Sequence, residues 1–168
     1  MEYDSNIASQ FYQNNRYRDQ FDRKSLLLHI KIESGETSFI VELPEELIVN
    51  NISDVYLDTL VTKKLKPNTN INQMGFLIGI EQIEMKTVGG VASSPATITT
   101  KFNGKFFIPN EGTGNATTLH KGRKLNYVGK IRPGKYKRVP ITITDLNEDS
   151  VYDSDTGEFI AEFVIVEK

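Results

Sequence analysis

The first regular pattern in the chain is an alternation of apolar and polar residues in the second half of the run 26–33. The apolar positions are Leu28, Ile30 and Ile32, and the polar positions between and after them are His29, Lys31 and Glu33. A period of two predicts a β-strand that buries one face and exposes the other. After a turn at Gly35, residues 37–43 predict a second strand that forms a hairpin with the first and ends at Pro44. Residues 44–47 then have the composition of a single helical turn.

Short runs of β-branched and aromatic residues continue to the end of the chain, separated by Gly, Pro, Asn and Asp. Further strands are predicted at residues 55–62, 75–84, 97–102, 105–108, 116–120, 125–131, 139–144 and 159–166. The run 75–84 is the most hydrophobic, so we expect it at the centre of a sheet. Within it, Gly79 marks a bulge or a close backbone approach.

The spacing of these strands defines the fold class. Turn residues recur at roughly 8 to 12 residue intervals, and no segment keeps a helical period. The pattern therefore predicts an all-β chain and excludes a parallel sheet with alternating helices. About eight to ten strands with some long connections favour an antiparallel β-sandwich of the single jelly-roll type over an up-and-down barrel.

Residues 1–24 differ from the rest because they are polar and carry no sustained apolar stripe. Their aromatic residues do not extend into an apolar run: Tyr3, Phe11, Tyr12, Tyr17 and Phe21. Such a segment cannot form a core by itself. It is either a frayed terminus or an extended arm that becomes ordered on a neighbouring subunit, and the number of aromatic anchors favours the arm. The predicted organisation is an N-terminal arm at 1–24 and one sandwich domain at 25–168.

Length and composition agree with one globular domain. The 168 residues are 38% apolar and 25% charged, which is sufficient for a sandwich core. Cysteine is absent, which excludes disulfides, thiol catalysis and cysteine-ligated zinc, so we expect synthesis in a reducing compartment. A net charge of -2 gives no global attraction to nucleic acid or to an anionic membrane. The sequence has neither a signal-peptide pattern nor an apolar run of membrane-spanning length.

Candidates for catalysis or metal binding are few. His29 and His120 are the only histidines, and no nucleophile motif accompanies either of them. Both are expected to be solvated strand residues. The pair Gly89 and Gly90 lacks the lysine and the following helix of a phosphate-binding loop. We therefore predict no catalytic residue, no metal site, no cofactor and no enzymatic activity.

The acidic stretch from Asp145 to Glu158 begins with the spacing of a calcium-binding loop. However, Ser150 stands where such a loop needs glycine, and Thr156 stands where it needs a bidentate glutamate. The stretch is therefore predicted to be a solvated loop, in which residues 155–157 turn into the last strand.

One sizeable basic segment lies at residues 121–138. Its cations are Lys121, Arg123, Lys124, Lys130, Arg132, Lys135, Lys137 and Arg138, with Tyr127 and Tyr136 among them. On one hypothesis the cations bind phosphates while the tyrosines stack on bases, as in a nucleic-acid-binding barrel. On the other, alternation across two strands splits the cations between faces, where they form a solvated edge or an intersubunit contact. The second hypothesis is favoured.

The order of several strand-and-turn phrases resembles that of a known family. The phrases are residues 15–19, 44–58, 127–134, 141–147 and 159–166. In this order the chain is similar to the single-jelly-roll penton and minor capsid proteins of large icosahedral (nucleocytoplasmic) DNA viruses. The resemblance implies a virion protein made in the host cytoplasm: a homo-oligomer, pentameric at a vertex, or repeated copies beneath a major capsid protein. It also implies that the arm reaches a neighbour, and it assigns no site residue.

A lectin-like or receptor-binding β-sandwich is the main alternative. Exposed Tyr and Asn residues on loops suit sugars, and jelly rolls host such sites. The sequence leaves this alternative open beside the nucleic-acid-binding barrel.

Overall fold

The computed structural model of the chain describes residues 23–33, 35–64, 75–85, 91–93, 97–99, 104–110, 117–119, 126–152 and 157–167. These residues contain no helix, which confirms the predicted all-β class, and thus no helix that could cross a membrane. The strands are β1 (Arg23–Ile32), β2 (Ser38–Val49), β3 (Ser53–Lys63), β4 (Gly75–Ile80), β5 (Ile83–Glu84), β6 (Val91–Ser93), β7 (Thr97–Thr99), β8 (Phe106–Pro109), β9 (Thr117–Leu119), β10 (Asn126–Ile131), β11 (Gly134–Asp145) and β12 (Gly157–Glu167).

Two antiparallel sheets contain most of these strands. The first sheet has the order β1-β12-β3-β10-β5, and β9 pairs with the end of β3. The second sheet has the order β2-β11-β4-β8. β6 and β7 pair only with each other among the described strands. The two large sheets enclose one core, as in a β-sandwich.

The strand pairs are nested along the chain. β1 pairs with β12, β2 with β11, β3 with β10, and β4 with β8. Two further pairings, of β12 with β3 and of β11 with β4, join these pairs into the sheets. The first and the last strand of the sandwich are therefore neighbours.

The core is built from the inward-facing residues of both sheets. In β1, Leu28 is fully buried while His29 and Lys31 are exposed, as the alternation predicted. Phe163 of β12 packs edge-on against Phe106 of β8, with ring centroids 6.3 Å apart, and so joins the two sheets. Burying a side chain of this size contributes about 1.5–3 kcal/mol.

The predicted hairpin between the first two strands is wrong. β1 and β2 lie in different sheets, and β2 continues through Pro44 to Val49, so the predicted helical turn is also wrong. Pro44 is tolerated because β2 is an edge strand whose register against β11 shifts between Glu42 and Leu47. In this irregular stretch the Lys137 ammonium donates a hydrogen bond to the Pro44 carbonyl, at 2.7 Å.

The predicted central strand at 75–84 is divided in two. β4 ends before a turn at Glu81 and Gln82, and β5 joins the other sheet. β4 is buried along its whole length between β11 and β8. A Cβ atom at Gly79 would lie 2.6 Å from Thr142 Oγ1. The central position is therefore confirmed, and the close approach at Gly79 is made by the side chain of its cross-strand neighbour Thr142.

Strand boundaries also differ from the sequence prediction. β1 begins at Arg23, so Arg23 and Lys24 belong to the sandwich, while residues 1–22 of the predicted arm lie outside the described part. β11 begins at Gly134, before the start predicted at position 139, and β6 was not predicted.

Candidate assembly surface

His29 is a surface residue of the first sheet. Its imidazole is half-exposed on the outward face of β1, and its Nε2 atom lies 3.7 Å from Glu158 Oε2 on β12. This position confirms the predicted outward orientation, whereas His120 is not among the described residues. Within the described ranges, no group of three His, Asp or Glu side chains is arranged to hold a metal ion.

The acidic stretch begins with an organised turn. Asp145 is buried, and its Oδ1 atom accepts hydrogen bonds from the backbone N–H groups of Asn147, at 2.7 Å, and Asp149, at 2.9 Å. This is the local turn chemistry by which aspartate stabilises a loop. The Asp145 carboxylate is therefore held by the backbone of its own loop. Residues 153–156 of the stretch are not described.

The end of the described loop is buried, which corrects the prediction that the whole stretch is solvated. Val151 and Tyr152 pack into the core, and the Tyr152 hydroxyl donates a hydrogen bond to the Glu158 carbonyl, at 3.1 Å. Burial raises the pKa of Tyr152 well above its ordinary value, and the Glu158 charge raises it further. A Cβ atom at Gly157 would overlap the Tyr152 ring. The loop thus plugs the core next to the start of β12.

The basic segment is split between the two sheets. Lys130 lies on β10 in the first sheet, where its register neighbours are Asp54 and Glu84. Arg132 forms an ion pair with Glu84 through its Nε atom. Three cations of the segment are not described: Lys121, Arg123 and Lys124.

The remaining cations of the segment lie on β11 in the second sheet. Lys135 is opposite Ile48, and the Arg138 Nε atom lies 3.6 Å from Glu42 Oε1. The described cations therefore lie on two sheets, and two of them have acidic partners outside the stretch 145–158. The cations are therefore divided, as the sequence favoured, but because β10 and β11 belong to different sheets.

A more extended surface feature is the open side of the sandwich, which we define as the free edges of β1 and β2. Each of these strands has one partner among the described strands, β12 for β1 and β11 for β2. The two edges lie beside each other and enclose a groove of about 580 Å³. The groove is lined by Lys24, Ser25, Leu26, Leu27, Leu43, Pro44, Glu45, Glu46, Leu47 and Ile48. Long free edges are surfaces to which another strand or chain can add.

Large apolar side chains are exposed on this side. Leu27 is 61% exposed on β1, and Ile40 and Ile48 are 56% and 43% exposed on β2. Ile52, in the turn after β2, is 58% exposed. Among the described residues, only Phe107 and Tyr127 are comparable elsewhere. The open side thus carries exposed apolar side chains along its length, and Leu27 and Ile48 line the same groove.

One end of the open side is fixed by a hydrogen-bonded ion pair. The Lys24 ammonium lies 2.6 Å from Glu167 Oε1 on β12, and it also donates to the Ile48 carbonyl at 2.7 Å. The Asn50 backbone N–H donates to Glu167 as well, at 3.2 Å. The hydrogen bond from Lys24 is the main cause that lowers the pKa of Glu167. Lys24 therefore ties the first sheet to the second.

A second groove, of about 820 Å³, lies at the other end of β2 and is lined mainly by apolar residues. Its polar lining includes Lys105, whose stem crosses close to Gly79. The Lys105 ammonium lies 3.9 Å from Glu148 Oε1. The cation is therefore held at the wall of the groove.

Sequence reasoning missed the open side because it assigned residues 37–47 to a hairpin and a helical turn. The available signal was the run Glu42, Glu45 and Glu46 around Pro44, since charges and proline are typical of an edge strand. Comparisons of the chain with protein-family models, with curated proteins and with solved structures give no match. The functional assignment therefore depends on the residues and the strand order described above.

Proposed function

We propose that the chain is a structural component of an icosahedral virus shell, a penton or minor capsid protein, built on a single jelly roll. The observation that carries this proposal is the nested pairing of β1 with β12, β2 with β11, β3 with β10 and β4 with β8. A jelly roll is a long antiparallel hairpin rolled around a core, so its first strand pairs with its last and the pairs between them are nested. Such domains are common in viral capsids.

The open side supports an assembly role for this fold. Proteins that remain monomeric usually shorten, twist or cover their sheet edges. Here two long edges meet, and the apolar residues Leu27, Ile40 and Ile48 are exposed between charged ones. We therefore propose that the partners are further copies of this chain, as a pentamer in the penton form, together with a major capsid protein.

The N-terminal segment belongs to the same proposal. Residues 1–22 precede β1, and β1 lies on the open side. An arm that starts there is within reach of any subunit that contacts this side. A chain that begins at Arg23 should keep the fold of the sandwich and assemble less well than the full chain.

Immunogold electron microscopy of cells that produce the protein tests the proposed function. We expect the label on icosahedral shells. Label confined to soluble protein or nucleic acid would contradict the proposal. A glycan array and a nucleic-acid titration on the same preparation test the rivals, because a lectin gives saturable glycan binding and a nucleic-acid-binding barrel gives an affinity that falls steeply with salt.

A further inference from the structure

We infer that the open side is a self-complementary interface, on which a second copy of this chain binds by two-fold symmetry. This inference rests on the assembly role proposed above and identifies the surface and the partner. A two-fold interface uses the same patch on both copies. The charges on one edge of the patch must therefore be opposite to those on the edge of the partner that it meets.

The charges of the open side are arranged in this way. Exposed Arg23 and Lys31 lie on β1, and exposed Glu45 and Glu46 lie on β2. Within the described part of the chain, none of these four residues forms an ion pair. One edge is therefore cationic and the other anionic, with charges available to a partner.

The direction of the two edges selects the symmetry axis. Lys31 and Glu42 line one groove between β1 and β2, and Ser25 and Glu46 line the other, so the two strands run in opposite directions. A rotation about an axis parallel to the strands places β1 of one copy against β2 of the other. It brings Lys31 to the level of the partner's Glu42, and Arg23 to the end that carries Glu45 and Glu46. A rotation about an axis across the strands would instead oppose like charges, which is unfavourable.

The size of the open side is sufficient for a specific contact. β1 has 10 residues and β2 has 12. At about 3.3 Å per residue the side is roughly 33 Å long, and two sheets about 10 Å apart with their side chains make it roughly 20 Å wide. The resulting area of about 600–700 Å² per copy is slightly below the ~800 Å² per partner of a standard interface. Its exposed apolar side chains are Leu27 and Ile48 in one groove and Ile40 in the other.

A two-fold contact closes after two copies, whereas a ring of five needs a different patch on each side of the subunit. Within the proposed function, the inference therefore favours a minor capsid component that joins neighbouring units over a penton ring.

Two charge-reversal variants of the full chain test the interface. The first carries Arg23→Glu and Lys31→Glu, which makes both edges acidic. The second carries Glu42→Lys, Glu45→Lys and Glu46→Lys, which makes both edges basic. Alone, each variant should dimerise at least about tenfold more weakly than the natural chain, because like charges meet at both strand contacts. Mixed in equal amounts, the two variants should form a heterodimer, because each acidic edge then meets a basic one.

Native mass spectrometry distinguishes these species by mass. As a matched control, Lys130→Glu with Arg132→Glu reverses two charges around β10, away from the open side, and should leave the dimer unchanged. Thermal unfolding checks that every variant is folded.

Weak self-association of both variants with recovery on mixing supports the interface. Dimers of unchanged strength in both variants, or no recovery on mixing, would overturn this interface. Self-assembly would then have to use another surface of the sandwich. A natural chain that is monomeric at every concentration would overturn the interface and self-assembly together, while labelled shells would still support the capsid role.

Discussion

The contact between Gly157 and Tyr152 gives a sharp test of how the last loop closes the core. A Cβ atom at position 157 would overlap the Tyr152 ring and lie 2.5 Å from its Cζ atom. Tyr152 is only 1% exposed, so its ring has no free space into which it can move. Gly157→Ala should therefore force either β12 or the buried loop segment at Val151 and Tyr152 out of place.

The magnitude follows from two opposing effects. Replacing glycine by alanine within a strand normally stabilises by about 0.5–1 kcal/mol, through the lower entropy of the unfolded chain. Overpacking of a core typically costs about 1–3 kcal/mol, and the fixed ring puts this site at the upper end. We expect a net loss of about 2 kcal/mol, or roughly 4–8 °C in Tm for a domain of this size.

Urea unfolding followed by circular dichroism measures the effect, with Gly134→Ala as the matched control. A Cβ atom at Gly134 would also meet a tyrosine ring, that of Tyr136, but at 3.1 Å. Tyr136 is only partly buried and can shift, so this control should change stability by less than about 0.5 kcal/mol. In a Tyr152→Leu background the cost of Gly157→Ala should largely disappear, because the clashing ring is gone. An equal cost in both backgrounds would refute the packing argument.

Three further predictions concern single side chains. The hydrogen bond from Lys24 lowers the pKa of Glu167 below the ordinary 4.5, so ionised Glu167 stabilises the fold above that pH and the effect is lost as the pH falls below it. Glu167→Gln should thus be destabilised at neutral pH and approach the natural chain near pH 3 in urea titrations, and a constant difference would argue against the coupling. Asp145→Ala leaves two backbone N–H groups without their acceptor and should cost about 1–3 kcal/mol, measured by thermal unfolding; a change below about 0.5 kcal/mol would show that the turn does not need the carboxylate. Gly129→Ala places a Cβ atom 2.5 Å from the Glu84 carbonyl oxygen and should separate β5 from β10, so hydrogen exchange at the amides of β5 should accelerate, and unchanged exchange would contradict this.

Local features of the fold were predictable because they depend on one segment at a time. The strand at β1 follows from its period of two, and the close approach at Gly79 follows from a glycine inside an apolar run. The partner of each strand depends on distant segments, which explains why the hairpin prediction failed. β1 pairs with β12 because Leu28 and Phe159 bury their side chains in one core, and local turn residues near Gly35 contain no information about that choice.

The candidate site was predictable to a smaller extent. The basic segment 121–138 was visible as a charge run, but its division between two sheets was not, because it depends on β10 and β11 joining different sheets. The open side combines β1 with β2, and its character depends on which edges of the described sheets have no partner among the described strands. The buried Tyr152 was also missed, because an acidic loop gives no sequence signal that one of its residues enters the core.

The central claim is that this chain is built to associate with copies of itself. Light scattering of the purified full chain over a range of concentrations and salt tests it most directly. The account predicts a mass above the 19.0 kDa of one chain, which rises with concentration and falls when salt screens the charged edges. A mass of 19.0 kDa under every condition would contradict the claim.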